Sequence, residues 1–474
     1  MTASDRNDKA RGARRKVPAA RPSRAKAGSS AAAQPAAPAP LRLGIAGLGT
    51  VGCGVLTLLD RNGPLIAARA GRPLQVTAVS ARSRRKKRAA DPGAATWHAD
   101  PVALASDPEV DVVVELMGGS DGPARALCEA ALRAGKPVVT ANKALLAERG
   151  TALAKLSARY GAPLAYEAAV AGGIPIIKAL REGLAGNRIR RLYGILNGTC
   201  NYILTTMEAS GRDFDDVLAE AQRLGYAEAD PSFDVDGIDA AHKLAILAAL
   251  AYGAPVDFAS AYVEGIRAVT AADIAMAAEL GFRIKLLGLA QLEDGALLQR
   301  VHPCLVPRDT PIAHVDGVYN AVVTEGDAVG RTLLEGRGAG AEPTASAVMA
   351  DIIDIAAGRI APPLGLPATA LAKHRTRHMR DHVGCYYVRL QVRDEPGVIA
   401  DISAILKRCS ISIESLLQHG RAPDDARGVP VVMTTHEARE ADMMQALSRM
   451  ARLPSVLHAP HIIRIEKLTV PEES

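Results

Sequence analysis

The segment Gly225–Lys243, GYAEADPSFDVDGIDAAHK, places five carboxylates just ahead of a single lysine. The apolar run after Gly237 predicts a helix, on which Asp239 and Lys243 lie four residues apart and share a face. A lysine held beside a carboxylate at the mouth of a pocket can donate a proton to a developing alkoxide. Glu228, in the loop before the helix, is placed to bind a substrate ammonium. The alternative is an acidic helix N-terminus with one ordinary ion pair, but a nucleotide-binding motif upstream favours the catalytic interpretation.

That upstream motif is a glycine-rich turn. Gly47, Gly49 and Gly52 form GxGxxG directly after a predicted strand that begins at Leu41, and at the start of a predicted helix. The first glycine permits a tight turn, the second allows the backbone to approach a pyrophosphate, and the third allows close packing of helix and strand. In this context the motif predicts dinucleotide binding.

The end of the second predicted strand indicates which dinucleotide is bound. An NAD enzyme carries an acid there to bind the ribose 2′-hydroxyl, but here Ala81 is followed by the basic run Arg82–Arg88. The run favours binding of the 2′-phosphate of NADP, and NAD remains the alternative cofactor. The run could instead be a solvated basic loop without a role in binding. Nucleic-acid binding is not expected, because no aromatic platform accompanies the run. Lys143, in TANK, closes a later strand at the sheet edge where ligands bind.

The elements that must position these residues change in character along the chain. Over residues 41–165 apolar strands alternate with helices, which predicts an α/β fold with a Rossmann-type, doubly wound parallel sheet. Residues 166–335 predict an α+β catalytic and dimerisation domain, in which NGTCN is a turn. Residues 336–360, a glycine loop and a helix, are expected to pack back on the first domain. Residues 361–381 are predicted to be a linker, and residues 382–474 a separate βαββαβ, ferredoxin-like unit.

Composition limits the class of protein further. The chain has 474 residues, of which 48% are hydrophobic and 3% aromatic, so a large core must be aliphatic. Residues 1–40 hold nine Lys/Arg and two Asp, a net +7, which leaves the remaining chain at −1 of the total +6. We therefore expect a disordered basic tail at 1–40 and no nucleic-acid partner.

Six scattered cysteines fit the reducing cytoplasm. No apolar run is long enough to predict a membrane span.

Six motifs occur in an order that resembles the homoserine dehydrogenase family. They are GLGTVG, TANK, YEAAVAGGIPII, ILNGTCNYIL, GYAEADPSFDVDGIDAAHK and GRGAG, and the resemblance covers Leu41–Gly358. The family reduces L-aspartate 4-semialdehyde to L-homoserine with NADPH or NADH, in the pathway to threonine, methionine and isoleucine. The resemblance implies the same activity here. A monofunctional form is expected, because the forty residues before the first strand cannot hold an aspartate kinase domain.

The resemblance implies a role for each matching residue. Lys243 matches the proton donor and Asp239 its partner. Glu228 and Asp234 are expected to bind the substrate, and Glu228 is expected to contact the amino group of the substrate. The residues expected to contact the cofactor are Gly47, Leu48, Gly49, Thr50, Val51, Gly52, Arg82, Lys143 and Gly338. A monovalent cation, usually sodium in the family, is expected at Glu167, Val170, Gly172 and Ile174, where carbonyls freed at a glycine-rich turn suit a hard cation.

Two other functions are alternatives to this one. Cys200, in NGTCN, could be a nucleophile of the kind that semialdehyde dehydrogenases use to form an acyl-thioester. No histidine lies among its sequence neighbours, and we expect a structural role for it. A non-enzymatic regulator would carry broken catalytic positions, yet Lys143, Glu228, Asp239 and Lys243 are all present.

The C-terminal unit resembles an ACT domain in the sequence DEPGVIADISAIL. ACT domains bind amino acids in the loop after the first strand, and Asp394, Gly397 and Ile399 hold that place here. Threonine, as the end product of the pathway, is the candidate effector; a dimerisation module that binds nothing is the alternative. Because the α+β sheet and the ACT unit usually pair with copies of themselves, a homodimer or homotetramer is expected.

Overall fold

The computed structural model describes residues 38–418 and 428–468. The tail predicted at 1–40 therefore lies, up to residue 37, outside the described residues. Within the described ranges, no helix is both long and apolar enough to cross a lipid bilayer.

The first sheet follows the sequence pattern of apolar strands alternating with helices. Its strands are β1 (Leu41–Ala46), β2 (Leu74–Ser80), β3 (Thr96–His98), β4 (Val112–Glu115), β5 (Val138–Thr140) and β6 (Leu164–Ala165), and its helices are α1 (Thr50–Ala70), α2 (Pro123–Arg133) and α3 (Lys143–Tyr160). All neighbouring strands are parallel, in the order β3-β2-β1-β4-β5-β6. Val112 and Val114 pack on the α1 side, and Val113 packs on the side of α2 and α3. Alternate burial on both faces explains why the strands are apolar throughout.

A second, mostly antiparallel sheet carries the middle of the chain. Its elements are α4 (Ile176–Lys178), β7 (Ile189–Ile195), α5 (Gly198–Ser210), α6 (Phe214–Arg223), α7 (Ser232–Val235), α8 (Ile238–Tyr252), β8 (Tyr262–Val263), α9 (Ala271–Glu279), β9 (Phe282–Glu293), β10 (Ala296–Pro307), β11 (Tyr319–Gly326) and β12 (Gly330–Arg337), followed by α10 (Ala341–Ala356). The strand order is β12-β11-β7-β9-β10. Helix α10 returns to the first sheet and packs on α1.

The middle sheet and the helices packed on it differ from the sequence expectations in two respects. Strands β9 and β12 were not predicted, although Asp294 and Gly295, both at positive φ, form the kind of Asp-Gly turn that joins two hairpin strands. The predicted turn in NGTCN is instead the start of α5, because the Asn197 side chain accepts a hydrogen bond from the Cys200 backbone and caps the helix.

Helix α8 lies between the first, parallel sheet with its helices and the middle sheet. It packs against β7, β9 and β10 on one side and against α3 of the first sheet on the other. Most of its residues, including Asp239 and Lys243, are therefore buried. An alanine- and leucine-rich sequence suits a helix that is covered all round.

The C-terminal elements are β13 (Arg375–Thr376), β14 (Val383–Val392), α11 (Val398–Arg408), β15 (Ile413–Gln418), β16 (Val429–Thr435), β17 (Ala438–Arg439), α12 (Glu440–Met450) and β18 (His461–Ile465). Four of the strands form a sheet in the order β18-β14-β16-β15. The chain order β-α-β-β-α-β with this strand order is a ferredoxin-like arrangement.

The expectation that this unit is separate needs correction. The outer edge of β10 is paired by three short parallel strands: β13 at Ala296–Leu297, β8 at Arg300–Val301 and β18 at Cys304–Leu305. The C-terminal sheet thus continues the middle sheet, and Arg375–Thr376 is part of that edge, so the segment 361–381 is more than a linker. An unpaired strand edge is costly, and pairing it explains the continuity.

Buried ion pairs reinforce the same junction. The guanidinium of Arg300 donates to both carboxylate oxygens of Glu466, and both side chains are buried. Arg464, on β18, donates to Glu440 at 2.5 Å and to Glu264, after β8, at 2.6 Å. Burial alone would raise the pKa of Glu466, but Arg300 outweighs it and lowers that pKa to about 2.

We predict that Glu466→Gln lowers the free energy of unfolding by about 3–5 kcal/mol, because it leaves Arg300 buried without its counter-charge. Chemical denaturation at pH 7 measures the change. Glu437→Gln is the matched control: Glu437 pairs with Lys467 at 3.3 Å and both side chains are more than 60% exposed, so its loss should cost about 0–1 kcal/mol.

The pH dependence of the same variant has a defined sign. The folded-state pKa of Glu466 lies below its unfolded value of about 4.3, so its stabilising contribution is present above pH 4.3 and is lost as pH falls toward 2. The wild type should therefore lose more stability than Glu466→Gln between pH 5 and pH 2. Equal losses would show that the buried pair does not stabilise the junction.

Candidate active site

The Lys243 ammonium is held by two acceptors inside the protein. Its Nζ donates to Asp239 Oδ2 and to the Leu196 carbonyl oxygen, both at 2.7 Å. Asp239 is 3% exposed and Lys243 8% exposed. Two of the three ammonium hydrogens are thus occupied, and one N–H remains for a further acceptor.

Asp239 is shared between two lysines. Its Oδ1 lies 3.1 Å from Lys143 Nζ, and Lys143 begins α3 directly after β5. Burial would raise the pKa of Asp239, but Lys243 and Lys143 together hold it well below its usual range. The charge of Asp239 in turn raises the pKa of Lys143. The cluster is therefore one buried carboxylate flanked by two cations.

The remaining predicted acids lie beside this cluster. Asp234 Oδ1 accepts a hydrogen bond from Asn197 Nδ2 at 2.8 Å, and the pKa of Asp234 is raised by burial and by the charge of Asp239. Glu228 is exposed, and its charge is one of those that raise the pKa of Lys143. Asp234 and Glu228 thus place negative charge next to Lys143, which suits a substrate that carries an ammonium group.

Two asparagines of the site were not found from the sequence. Asn197 donates to Asp234 and, at 2.9 Å, to Asp239. Asn320, on β11, donates at 3.0 Å to the same Leu196 carbonyl that holds Lys243. A signal for Asn197 existed, because asparagine directly after a strand and three residues before a helical N–H is a typical helix cap. Asn320 had none, since its contacts join residues far apart in the chain.

Cys200 takes the structural role that was expected. Its Sγ donates to the Asp234 carbonyl oxygen at 3.2 Å, and the side chain is fully buried. Burial raises the pKa of this thiol well above its usual value. A neutral, enclosed thiol is a poor nucleophile, so the geometry does not support an acyl-thioester route.

The glycine turn has the geometry of a dinucleotide site. Gly47 has φ +103°, and a Cβ there would lie 2.5 Å from the Leu116 carbonyl oxygen. A Cβ on Gly52 would lie 2.1 Å from the Gly47 carbonyl oxygen, whereas one on Gly49 would meet no atom within 4 Å. The three positions thus have the backbone geometry that the motif requires: a tight turn at Gly47, an open face at Gly49 and close packing at Gly52.

A cleft of about 490 Å³ opens beside this turn. Leu48, Gly49 and Thr50 line it from the turn, while Val51 packs into the core instead. The basic residues that line it are Lys86, Lys87 and Arg88. A glycine turn at a helix start together with three cations fits a phosphate-bearing dinucleotide.

Arg82, at the start of the basic loop, is exposed and is not among the residues that line this cleft. The Arg88 guanidinium donates to the carbonyl oxygens of Ser83, Arg84 and Lys86 and lies 5.0 Å from the centre of the Trp97 ring. The later part of the run lies at the cleft, and the contact of Arg82 with the cofactor stays a prediction.

Gly338 lies elsewhere in the site. A Cβ on it would overlap the Asn320 amide at 2.2 Å, and a Cβ on Gly172 would lie 2.4 Å from the Gly338 carbonyl oxygen. Gly338 does not line the cleft. It instead joins the loop predicted to bind a cation to the asparagine that shares an acceptor with Lys243.

The predicted cation loop combines buried negative charge with unusual backbone. The two Glu167 carboxylate oxygens accept from the Ile177 and Lys178 backbone at 2.8 and 2.9 Å. Burial and the neighbouring charge of Asp351 raise the pKa of Glu167 to about 7. Ala171 and Gly172 both have positive φ, at 54° and 49°. Two buried acids beside such a turn fit a hard cation bound by oxygen atoms. The other two residues expected there, Val170 and Ile174, are buried.

The residues expected to bind an effector lie in the loop between β14 and α11. Asp394 and Gly397 are exposed and Ile399 is half-buried. Gly397 has φ +98° and is the N-cap residue of α11.

The arrangement defines a class of protein. A doubly wound parallel sheet carries a dinucleotide-type glycine turn, and a lysine–carboxylate pair meets Lys143 at the carboxyl end of a neighbouring strand. Ligands bind at this edge of such sheets. These features are those of an oxidoreductase that uses a nicotinamide dinucleotide.

Comparisons with known proteins agree. The model of the homoserine dehydrogenase NAD-binding domain matches residues 47–167, and the homoserine dehydrogenase model matches residues 175–353. The chain is 48% identical to a homoserine dehydrogenase of Pseudomonas aeruginosa over 435 residues, 90% of this chain and 99% of that one. A homoserine dehydrogenase structure from Thiobacillus denitrificans has a TM-score of 0.85 at 47% identity, covering 91% of this chain and 99% of that one. A hyperthermophilic archaeal homoserine dehydrogenase mutant in complex with NADPH has a TM-score of 0.59 at 29% identity, covering 68% and 99%. The chain therefore belongs to the homoserine dehydrogenase family.

We predict that Lys243→Ala lowers dehydrogenase turnover by roughly 10²–10⁴-fold, because it removes the lysine that the sequence predicts to be the proton donor. Cofactor affinity, followed by fluorescence titration with the reduced dinucleotide, should change little, since the glycine turn is untouched. Lys155→Ala is the control, because Lys155 is exposed on α3. Unchanged turnover in Lys243→Ala would contradict the proposed role of this lysine.

Proposed function

We propose that this chain reduces L-aspartate 4-semialdehyde to L-homoserine with NADPH, in the pathway to threonine, methionine and isoleucine. The observation that carries the proposal is Asp239 between the two lysines, with Asp234 and Glu228 beside them. This set offers a proton donor for a carbonyl oxygen and acids for an amino group, as an amino-acid aldehyde requires.

In the proposed mechanism the acids and the lysines act on opposite ends of the substrate. Glu228 and Asp234 bind the substrate ammonium and orient the aldehyde toward Lys243. Reduced nicotinamide, when bound, supplies the hydride for the aldehyde carbon. Lys243 donates a proton to the oxygen through its remaining N–H, while Asp239 and the Leu196 carbonyl hold the ammonium in place. Lys143 adds positive potential near the developing alkoxide, an effect worth several kcal/mol where water is excluded.

The cofactor is proposed to lie along the glycine turn with NADP preferred. The pyrophosphate would lie over Gly49, where no atom obstructs the approach. Arg82, as the sequence predicts, and Lys86 and Lys87, which line the cleft, are the candidates for the 2′-phosphate. Arg88 is engaged with the carbonyl oxygens of its own loop. The NADPH complex of the archaeal relative supports a bound dinucleotide of this kind.

A sodium ion is proposed at Glu167 and the carbonyl oxygens of Val170, Gly172 and Ile174. The support is chemical: Glu167 and Asp351 are buried acids in contact through the Glu167 N–H, and a cation would offset their repulsion. The contact between Gly172 and Gly338 places this loop against the asparagine next to Lys243. The ion would thus stabilise the loop that packs against the active site and would not contact the substrate.

The C-terminal unit is proposed to be an ACT domain that binds threonine near Asp394, Gly397 and Ile399. Its ferredoxin-like strand order supports this assignment. Strand β15 lies at the end of the sheet order, which suits pairing with a second copy in a homodimer or homotetramer. The six cysteines are free and buried, as expected of a protein in the reducing cytoplasm.

The first test is the initial rate of homoserine oxidation with NADP⁺ and with NAD⁺, each with and without millimolar threonine. We expect activity with both and preference for NADP⁺, and we expect Lys86→Ala with Lys87→Ala to reduce that preference by raising the KM for NADP⁺ alone. Threonine inhibition would support the ACT assignment. Folded protein that oxidises no homoserine with either cofactor would overturn the proposed function.

The second test concerns the cation. Replacing sodium by choline at constant ionic strength should lower the melting temperature of the wild type by roughly 2–5 °C, because a bound ion stabilises the folded state. The effect should be larger at pH 8 than at pH 5, since a proton competes for Glu167, whose pKa is raised to about 7. Glu167→Gln should remove the ion dependence. Asp60→Asn, at an exposed position on α1, should keep it. A wild type that melts alike in both salts would contradict the site.

A further inference from the structure

We propose that Asn197 is a positioning residue of the reaction: its amide bridges Asp234 and Asp239 and fixes the acid that binds substrate relative to the acid that holds the proton donor. The inference rests on the proposed function and adds a residue to it. Asn197 acts through the two carboxylates to which its amide donates.

The hydrogen bonds of Asn197 fix the orientation of its amide. Its Oδ1 accepts from the Cys200 backbone at 2.8 Å. Its Nδ2 donates to Asp234 Oδ1 at 2.8 Å and to Asp239 Oδ2 at 2.9 Å. The residue is 4% exposed. A rotated amide would point its oxygen at two carboxylates and its NH₂ at a backbone N–H, so only one orientation is satisfied.

The two carboxylates need such a bridge because they are close and like-charged. Each raises the energy of the other when ionised, and burial adds to that cost. A neutral donor that gives one hydrogen to each stabilises both charges without contributing a proton that the pair could share. An acid at the same place would instead create a cluster of three carboxyls.

The backbone next to Asn197 serves the same cluster. The preceding carbonyl, of Leu196, accepts from Lys243 and from Asn320. The end of β7 therefore holds the lysine by its main chain and the partner acid by its side chain. Because Oδ1 of Asn197 also caps α5, the position of the bridge is tied to a helix of the middle domain.

Several other ionisable groups surround the bridge and belong in any account of its pH dependence. Lys143 comes from α3, and Lys243 and His242 come from α8. Burial lowers the pKa of His242, whose ring lies between Phe233 and Phe258. The remaining groups are the Cys200 thiol on α5, and the Glu228 and Asp236 carboxylates of the acidic segment.

Two substitutions separate positioning from helix capping. Asparagine, aspartate and serine are about equally good N-caps, so Asn197→Asp and Asn197→Ser both preserve the start of α5. Neither can donate to the two carboxylates together. The aspartate variant adds an acid at the bridge, whereas the serine variant only removes hydrogen bonds.

We expect both variants to retain the wild-type fold and to lose about 10–100-fold in kcat/KM for homoserine, the effect of losing hydrogen bonds to charged groups. In Asn197→Asp the acid limb of the pH–rate profile should also move up by about one pH unit or more, because the added carboxylate makes the cluster bind a proton more tightly. In Asn197→Ser that limb should stay nearer its wild-type position.

Asn187→Asp is the matched control. The Asn187 Oδ1 also accepts a backbone N–H, from Val329 at 2.9 Å, and its amide donates to the Leu184 carbonyl oxygen. It lies before the opposite end of β7, so rates and pH profile should stay at wild-type values. An active wild type with unaltered kinetics in both Asn197 variants would overturn the positioning role alone. A folded wild type without homoserine oxidation would overturn this inference and the proposed function together.

Discussion

The candidate active site depends on the compensation of a single buried carboxylate. Asp239 is 3% exposed, and an ionised acid at that depth needs compensating charge and hydrogen bonds. The compensation comes from three places: Lys243 on its own helix, Lys143 at the end of a strand of the first sheet, and Asn197 at the end of β7. Because these groups come from different parts of the chain, the buried charge of Asp239 is fully compensated only when both sheets are assembled around α8. The arrangement makes the chemistry of the site a property of the complete fold.

Local patterns predicted the parts of the site that local geometry determines. The four-residue spacing of Asp239 and Lys243 is enough to place them on one helical face, and the spacing of Gly47, Gly49 and Gly52 is enough to predict a turn beside a helix. The parallel sheet could be predicted because its strands are apolar on both faces. Lys143 could be placed at the sheet edge from the strand that precedes it.

Other parts depend on contacts that no local pattern encodes. Which residues of the basic run line the cleft depends on the fold of that loop, in which Arg88 donates to the carbonyl oxygens of its own segment. Asn320 reaches the Leu196 carbonyl from a strand more than a hundred residues away. The C-terminal unit joins the middle sheet because β18, which is distant in the sequence, pairs with the edge of β10. The missed strand β9 is a different case, because its Asp-Gly turn was a usable signal.

The pairing of β10 with β18 has a consequence for the way the chain is made. Cys304 lies opposite Arg464, so this part of the sheet joins residues that leave the ribosome 160 positions apart. Until β18 is synthesised, the backbone N–H and C=O groups at the Cys304–Leu305 edge have no partner from the C-terminal unit. Open strand edges of this kind favour mispairing with other chains. The short strands β8 and β13, which appear earlier, cover the neighbouring parts of the same edge. The order of the three strands along the chain therefore covers the edge of β10 stepwise during synthesis, and Cys304–Leu305 is the last of the three paired segments to find its partner.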